Sequence, residues 1–136
     1  KYYFEEAKSA LSGNETNIFV TDFIKDMGAA YAIADVVISR AGAGTISELC
    51  LLGKAVVLVP SPNVAEDHQT QNALALVNKD AAIYIKDAEA RSVLIKDAIA
   101  LCSNEPKLLA LRTNISKMGL PNSASVIANE VLNLVK

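Results

Sequence analysis

The sequence predicts an α/β domain built on an open, doubly wound parallel sheet, and three observations carry that prediction. Short apolar runs alternate along the chain with longer segments of helical periodicity. One run, Ala55-Val56-Val57-Leu58-Val59, is apolar at every position, which suits a parallel strand buried on both faces. A second run, Val36-Val37-Ile38, enters the small-residue turn Ala41-Gly42-Ala43-Gly44, and a helical pattern leaves it. Strand, turn and helix in that order form the repeating unit of open parallel sheets.

The elements follow in order. Residues 2–11 read as helix, stopped by Ser12-Gly13-Asn14, three residues that favour turns. Residues 17–20 read as a short strand, and residues 26–34 as a helix with Asp26 at its N-cap, where a carboxylate can accept from the free N–H groups of the first turn. Residues 36–39 are a second strand and residues 45–52 a helix. Gly53 follows its end, since glycine enters the left-handed conformation of a helix terminus without steric cost. The strand over 55–59 is closed by Pro60-Ser61-Pro62, and residues 60–66 form the loop expected to move most. A helix over 67–78, a strand over 82–85 and a helix over 91–102 come next. Helices over 105–117 and 123–135 then flank a break at Gly119-Leu120-Pro121. The sequence contains no internal repeat, low-complexity segment or linker.

Composition sets the outer bounds. A chain of 136 residues is one domain's worth, and 51% apolar with 21% charged residues excludes a disordered chain. A net charge of −2 without a basic run argues against nucleic acid as a partner. Cys50 and Cys102 both lie in apolar helical patterns and make no metal-binding spacing, so both are expected as reduced core thiols of a cytosolic protein. No stretch is long enough to span a bilayer, and no signal-peptide pattern is present. The chain opens on Lys1-Tyr2-Tyr3-Phe4-Glu5-Glu6, already helical and without an initiating Met, and is expected to be a fragment of a larger protein.

Ligands of such sheets sit outside the carboxyl ends of the strands. Three segments fall there: residues 21–24, 40–45 and 60–72. The middle one has the chemistry of a phosphate cradle, because glycines allow close approach and the first N–H groups of a helix lack internal partners. It is not a dinucleotide fingerprint: Ser47 stands at the third glycine position, and the next strand ends in Pro60-Ser61-Pro62 rather than an acidic residue. Nor is it a P-loop, for no Gly-Lys-Ser/Thr follows. Thr45-Ile46-Ser47-Glu48 admits two readings: a capping box, or a Glu48 carboxylate that accepts from the two vicinal hydroxyls of a ribose. His68, Gln69 and Asn72 likewise admit two: the polar first turn of a helix, or a donor–acceptor set suited to sugar hydroxyls. The single His has no Ser or Cys nucleophile in an obvious arrangement, and the carboxylates Asp22, Asp26, Glu66 and Asp67 form neither a catalytic pair nor a metal site.

Several motifs together resemble a known family. They are the run from Ala34-Asp35-Val36 through Arg40-Ala41-Gly42-Ala43-Gly44-Thr45-Ile46-Ser47-Glu48, then Gly53-Lys54-Ala55, Val59-Pro60 and His68-Gln69-Thr70-Gln71-Asn72-Ala73, preceded by Phe23-Ile24-Lys25-Asp26-Met27. In order and spacing they are similar to the MurG family, bacterial enzymes that add N-acetylglucosamine to lipid I in peptidoglycan synthesis. The resemblance implies one half of a GT-B fold: residues 1–136 as the C-terminal, nucleotide-sugar-binding domain, with the first strand and the N-terminal acceptor domain lying outside the chain. It implies that Ile24 meets uracil through its backbone with Phe23 beside it. The diphosphate would lie on Ala41, Gly42, Ala43, Gly44 and Thr45 near Arg40. Glu48 would bind the ribose, and Gln69, helped by His68 and Asn72, the acetylglucosamine. Some relatives carry Ser at the position of Ala41 and a larger apolar residue at that of Gly44, so backbone rather than side chain would make the contact here.

The implied reaction is an inverting displacement without metal or other cofactor, with UDP-N-acetylglucosamine as donor and lipid I as acceptor through the other domain. The base also lies outside the chain. The parent enzyme would be cytoplasmic, peripheral on the cytoplasmic face of the inner membrane, with its membrane contact made by the parent and no nucleic-acid partner. Another UDP-sugar transferase of the same architecture, a stand-alone donor half working with a partner chain, and a non-catalytic nucleotide-binding domain remain open alternatives.

Overall fold

The computed structural model describes residues 4–11, 17–63 and 67–135. It falls into two units, Lys1–Ile33 and Ala34–Lys136.

The first unit holds two short helices, α1 (Phe4–Ser9) and α2 (Met27–Ile33). Asp26 caps α2 as its sequence position predicts: its Oδ1 accepts from the Ala29 N–H at 2.9 Å. The helix buries Tyr31. The strand expected over 17–20 does not form. A strand is a paired structure, and apolar β-formers make one only where a neighbour supplies hydrogen bonds and a covered face. Neither is supplied here, and Phe19 is 90% exposed. The expected stop at residues 12–14 lies outside the described residues.

The second unit is built on a three-stranded parallel sheet of β1 (Val36–Ser39), β2 (Ala55–Leu58) and β3 (Ile83–Tyr84), in the order β1-β2-β3. Ser39 stands opposite Leu58, and Leu58 opposite Tyr84. The ladder runs one bond further on each side, from Val59 N–H to Ser39 C=O at 2.9 Å and from Ile85 N–H to Leu58 C=O at 3.0 Å. Five helices accompany the sheet: α3 (Ala43–Leu52), α4 (His68–Val77), α5 (Asp87–Cys102), α6 (Glu105–Ser116) and α7 (Ser123–Leu134).

The central strand explains its own composition. Ala55, Val57 and Val59 join Ile85 and the helix residues Leu101, Leu108 and Leu111 in one buried cluster. Val56 and Leu58 point the opposite way by the alternation of the strand and are equally buried. Leu49 of α3 and Ala73 and Leu76 of α4 are buried as well. Both faces are therefore covered, as a doubly wound sheet requires. Helix α5 starts at Asp87, four positions before the expected residue 91. Lys86 takes the extended N-cap conformation, and the acidic Asp87 and Glu89 suit the positive helix end. Its first turn, Asp87-Ala88-Glu89-Ala90, has no large apolar residue and so lacked the apolar periodicity that marks the rest. Helix α7 buries none of its residues.

Cys50 is buried, and burial pushes its thiol pKa above the ordinary value. Cys102 departs from expectation: it ends α5 and is exposed. Helical periodicity placed it on an apolar pattern, but its stripe is that of Ile95 and Ile99, which are 65% and 63% exposed, while the buried face of α5 runs through Ala98 and Leu101.

Gly53 ends α3 with φ 60° and ψ 38°, in the left-handed region. Its N–H donates to Cys50 C=O at 3.3 Å and the Lys54 N–H to Leu49 C=O at 3.2 Å, the pair of bonds of a Schellman close. An L side chain in this conformation costs about 1–2 kcal/mol. Gly53→Ala is therefore expected to lower unfolding free energy by that amount in denaturant titration, with unchanged stability counting against the left-handed close.

Candidate functional site

Because Ser39, Leu58 and Tyr84 stand side by side across the ladder, the segments that follow them leave the sheet at one edge. Residues 40–42, 59–61 and 85–87 meet there, together with the starts of α3 and α5.

Helix α3 begins at Ala43, two residues before the expected Thr45. Gly42 is its N-cap, extended at φ −69° and ψ 142°, and offers no side chain to the helix start. The first bond inside the helix runs from Ile46 N–H to Gly42 C=O at 3.0 Å. The N–H groups of Ala43, Gly44 and Thr45 therefore have no acceptor within the helix. A Cβ built on Gly42 would come no nearer than 4.0 Å to its closest neighbour, Thr45 Oγ1, and one on Gly44 would meet nothing within 4 Å. Among the described residues, nothing packs closely against these two glycines. Unshared N–H donors and the positive end of a helix dipole make it a place for an anion.

The early start also removes one reading of Glu48. A capping box needs Ser or Thr at the N-cap with Glu three residues later. Thr45 is instead the third residue of the helix, so Thr45 and Glu48 are not a capping box. Glu48 lies further along α3, exposed.

The turn that leads into α3 is held from several sides. Nη1 of Arg40 donates to Val59 C=O at 3.1 Å and Pro60 C=O at 3.2 Å, and pairs with the Asp87 carboxylate. The two side chains are 54% and 37% exposed, so solvent screening limits the ion pair to about 1 kcal/mol or less. Its effect is to orient Arg40 across the ends of β1, β2 and α5. Ala41 is fully buried, and side-chain amides from α4 bind its backbone on both sides. Its N–H donates to Gln69 Oε1 at 3.2 Å, and its C=O accepts from Asn72 Nδ2 at 3.1 Å. Gln69 Oε1 also accepts the Ser61 N–H at 2.9 Å. His68 opens α4 and is exposed. Asp67 precedes it in the left-handed region with φ 54° and makes no side-chain cap.

Of the residues singled out in the sequence, Arg40 to Thr45, Gln69 and Asn72 are thus brought together at the carboxyl edge of the sheet. Phe23 and Ile24 belong to the first unit. There Thr21 Oγ1 donates to Phe23 C=O at 2.8 Å and accepts the Phe23 N–H at 3.3 Å. Phe19, Thr21, Phe23, Ile24, Lys25 and Ala30 line an open cavity of about 460 Å³. One contributor to the edge was not visible in the sequence as a site residue, Asp87; Ser61 lies in the expected segment 60–72, but its backbone contact was not singled out. A charged residue soon after a strand end was the one available signal for Asp87; a backbone N–H leaves no sequence signal. Among the described residues no three of His, Cys, Asp and Glu stand together as a metal site, and no helix is long and apolar enough to cross a membrane.

An α/β sheet with an uncapped helix start at its carboxyl edge is the architecture of domains that bind phosphorylated ligands. Residues 1–128 match the Glycosyltransferase family 28 C-terminal domain, and the chain belongs to that family. Over 138 aligned residues it is 61% identical to the UDP-N-acetylglucosamine–N-acetylmuramyl-(pentapeptide) pyrophosphoryl-undecaprenol N-acetylglucosamine transferase of Bacteroides fragilis, covering 100% of this chain and 36% of that protein. The protein of the same name from Bacteroides thetaiotaomicron is 59% identical, again over 100% of this chain and 37% of that protein. The crystal structure of Acinetobacter baumannii MurG superposes with a TM-score of 0.85 at 28% identity, over 98% of this chain and 39% of that one. The expected α/β architecture and the expected family are both borne out. The chain spans little more than a third of the length of these relatives.

Proposed function

We propose that this chain is the C-terminal, donor-binding domain of a transferase that moves N-acetylglucosamine from UDP-N-acetylglucosamine to lipid I, the undecaprenyl-diphospho-muramyl pentapeptide. The observation that carries the reading is the open start of α3: N–H groups without acceptors in the helix, and two glycines, Gly42 and Gly44, whose Cβ positions meet no described atom closer than 4.0 Å. The relatives named for this transfer support it. In this reading the diphosphate rests on Gly42 to Thr45 beside Arg40, and Glu48 accepts from the ribose hydroxyls. Uracil meets the backbone of Ile24 next to Phe23, and the sugar faces His68, Gln69 and Asn72.

The reaction is an inverting displacement. The muramyl 4-hydroxyl attacks the anomeric carbon, the bond to the diphosphate breaks with its electron pair, and UDP leaves. Negative charge grows on the diphosphate as the bond breaks, and donors already aimed at that place stabilise it without reorganising. The base that takes the hydroxyl proton, the acceptor site and the contact with the cytoplasmic face of the membrane belong to the rest of the parent enzyme.

A non-catalytic nucleotide-binding domain would read the nucleotide and ignore the sugar. Isothermal titration of the full-length protein separates the two. UDP-N-acetylgalactosamine, which differs from the glucosamine donor only at the 4-hydroxyl, is expected to bind more weakly by about 1 kcal/mol or more, the cost of a polar group left unpaired. Equal affinities for the two sugars would support the non-catalytic reading.

A further inference from the structure

Resting on the donor-binding reading above, we propose that Gln69 and Asn72 are positioning residues of the diphosphate cradle, setting the direction of the α3 N–H groups by gripping the Ala41 peptide backbone and Ser61. The two residues are three apart on α4 and so share a helix face. One accepts from the Ala41 N–H and the other donates to the Ala41 C=O. Ala41 is fully buried and immediately precedes the N-cap Gly42. Holding both polar groups of that residue sets the orientation of the peptide from which α3 departs, and so where the N–H groups of Ala43, Gly44 and Thr45 point. The same Gln69 oxygen holds Ser61 N–H at 2.9 Å and ties the loop after β2 to the turn after β1. Preorganised donors lose much of their effect when displaced by an ångström, so a bracket of this kind acts on UDP affinity without touching the diphosphate.

The bracket also divides each amide. Gln69 Oε1 is committed to two backbone N–H groups, which leaves Nε2 as the end that can face a sugar. Asn72 spends an Nδ2 hydrogen on Ala41, which leaves Oδ1 as its free acceptor. A residue that only read the acetylglucosamine would not affect UDP, which lacks that group.

The test uses the full-length transferase, with UDP as the probe in calorimetry and the Ala41 and Ser61 amide resonances in NMR. Gln69→Ala and Asn72→Ala are each expected to weaken UDP binding about five- to tenfold, the scale of one lost hydrogen bond. Gln69→Ala is also expected to move the Ala41 and Ser61 amide protons upfield. Gln69→Glu keeps the acceptor and is expected to leave both downfield. It serves as the second variant should an alanine variant fold poorly. UDP affinities within twofold of wild type for both alanine variants would overturn the proposal, as would amide resonances that do not respond to Gln69→Ala. If those variants instead lost only the preference for the glucosamine donor, the two residues would be sugar readers alone. A wild-type enzyme that did not bind UDP would remove the donor-binding reading, and the proposal with it.

Discussion

Glu48→Ala in the full-length transferase is expected to weaken UDP binding by about 1.5–3 kcal/mol, roughly ten- to a hundredfold, the range of hydrogen bonds to a charged group. A carboxylate has two oxygens at the spacing of two vicinal hydroxyls, so the loss includes both bonds to the ribose. The structure sharpens the experiment. Were Glu48 half of a capping box, the same substitution would remove about 1 kcal/mol of helix stability and confuse the two effects. Thr45 lies inside α3 and Gly42 is the N-cap, so Glu48→Ala removes no capping-box contribution, and melting measured beside binding separates any other loss of stability from loss of ligand. Glu48→Gln keeps one acceptor oxygen without the charge, and its UDP affinity is expected to fall between the two. A variant that melts lower and binds UDP normally would make Glu48 a stabilising residue and not a ligand.

The second large effect is all or none. The 136-residue chain by itself is expected to transfer no N-acetylglucosamine to a lipid I analogue in an assay that detects the full-length enzyme. In the proposed scheme the carboxyl edge of the sheet serves the leaving group, with N–H donors at a helix start and the Arg40 guanidinium beside them. Attack by a sugar hydroxyl needs in addition a base within hydrogen-bond reach of its proton, and an acceptor held in line. The proposed scheme places both outside this chain, which covers 36% of its Bacteroides fragilis relative. Measurable turnover by the purified chain would overturn the division of labour between the domains, even with the donor site intact.

Much of the fold was legible because it is local. The run from Ala55 to Val59 announces a strand buried on both faces, and the ladder carries it to Val59. Asp26 and Gly53 mark a helix start and a helix end through their own backbone chemistry, and both act where the sequence places them. Residues 17–20 show the limit. Their apolar character matches a strand, but pairing is a property of two segments and no property of one. Cys102 shows it again, since α5 carries apolar residues on more than one stripe and spacing alone does not tell which stripe is covered. The start of α3 was misplaced by two residues because Thr45 has the better capping side chain, while the chain folds with Gly42 at the cap and its amides held by α4.

The order of strands and helices, the glycine turn and the family are written in the amino-acid sequence alone, because each depends on residues close together in the chain or on motifs in a given order. Only the tertiary structure decided that Gln69 and Asn72 grip Ala41, that Ser61 shares the Gln69 oxygen, and that Arg40 reaches Asp87 from 47 residues away. Those bonds arise from strand register, which sets Ser39, Leu58 and Tyr84 level and so gathers three loops at one edge. A hydrogen bond needs its partners within a few tenths of an ångström, and residues far apart in the chain reach that precision only when the packed sheet places them.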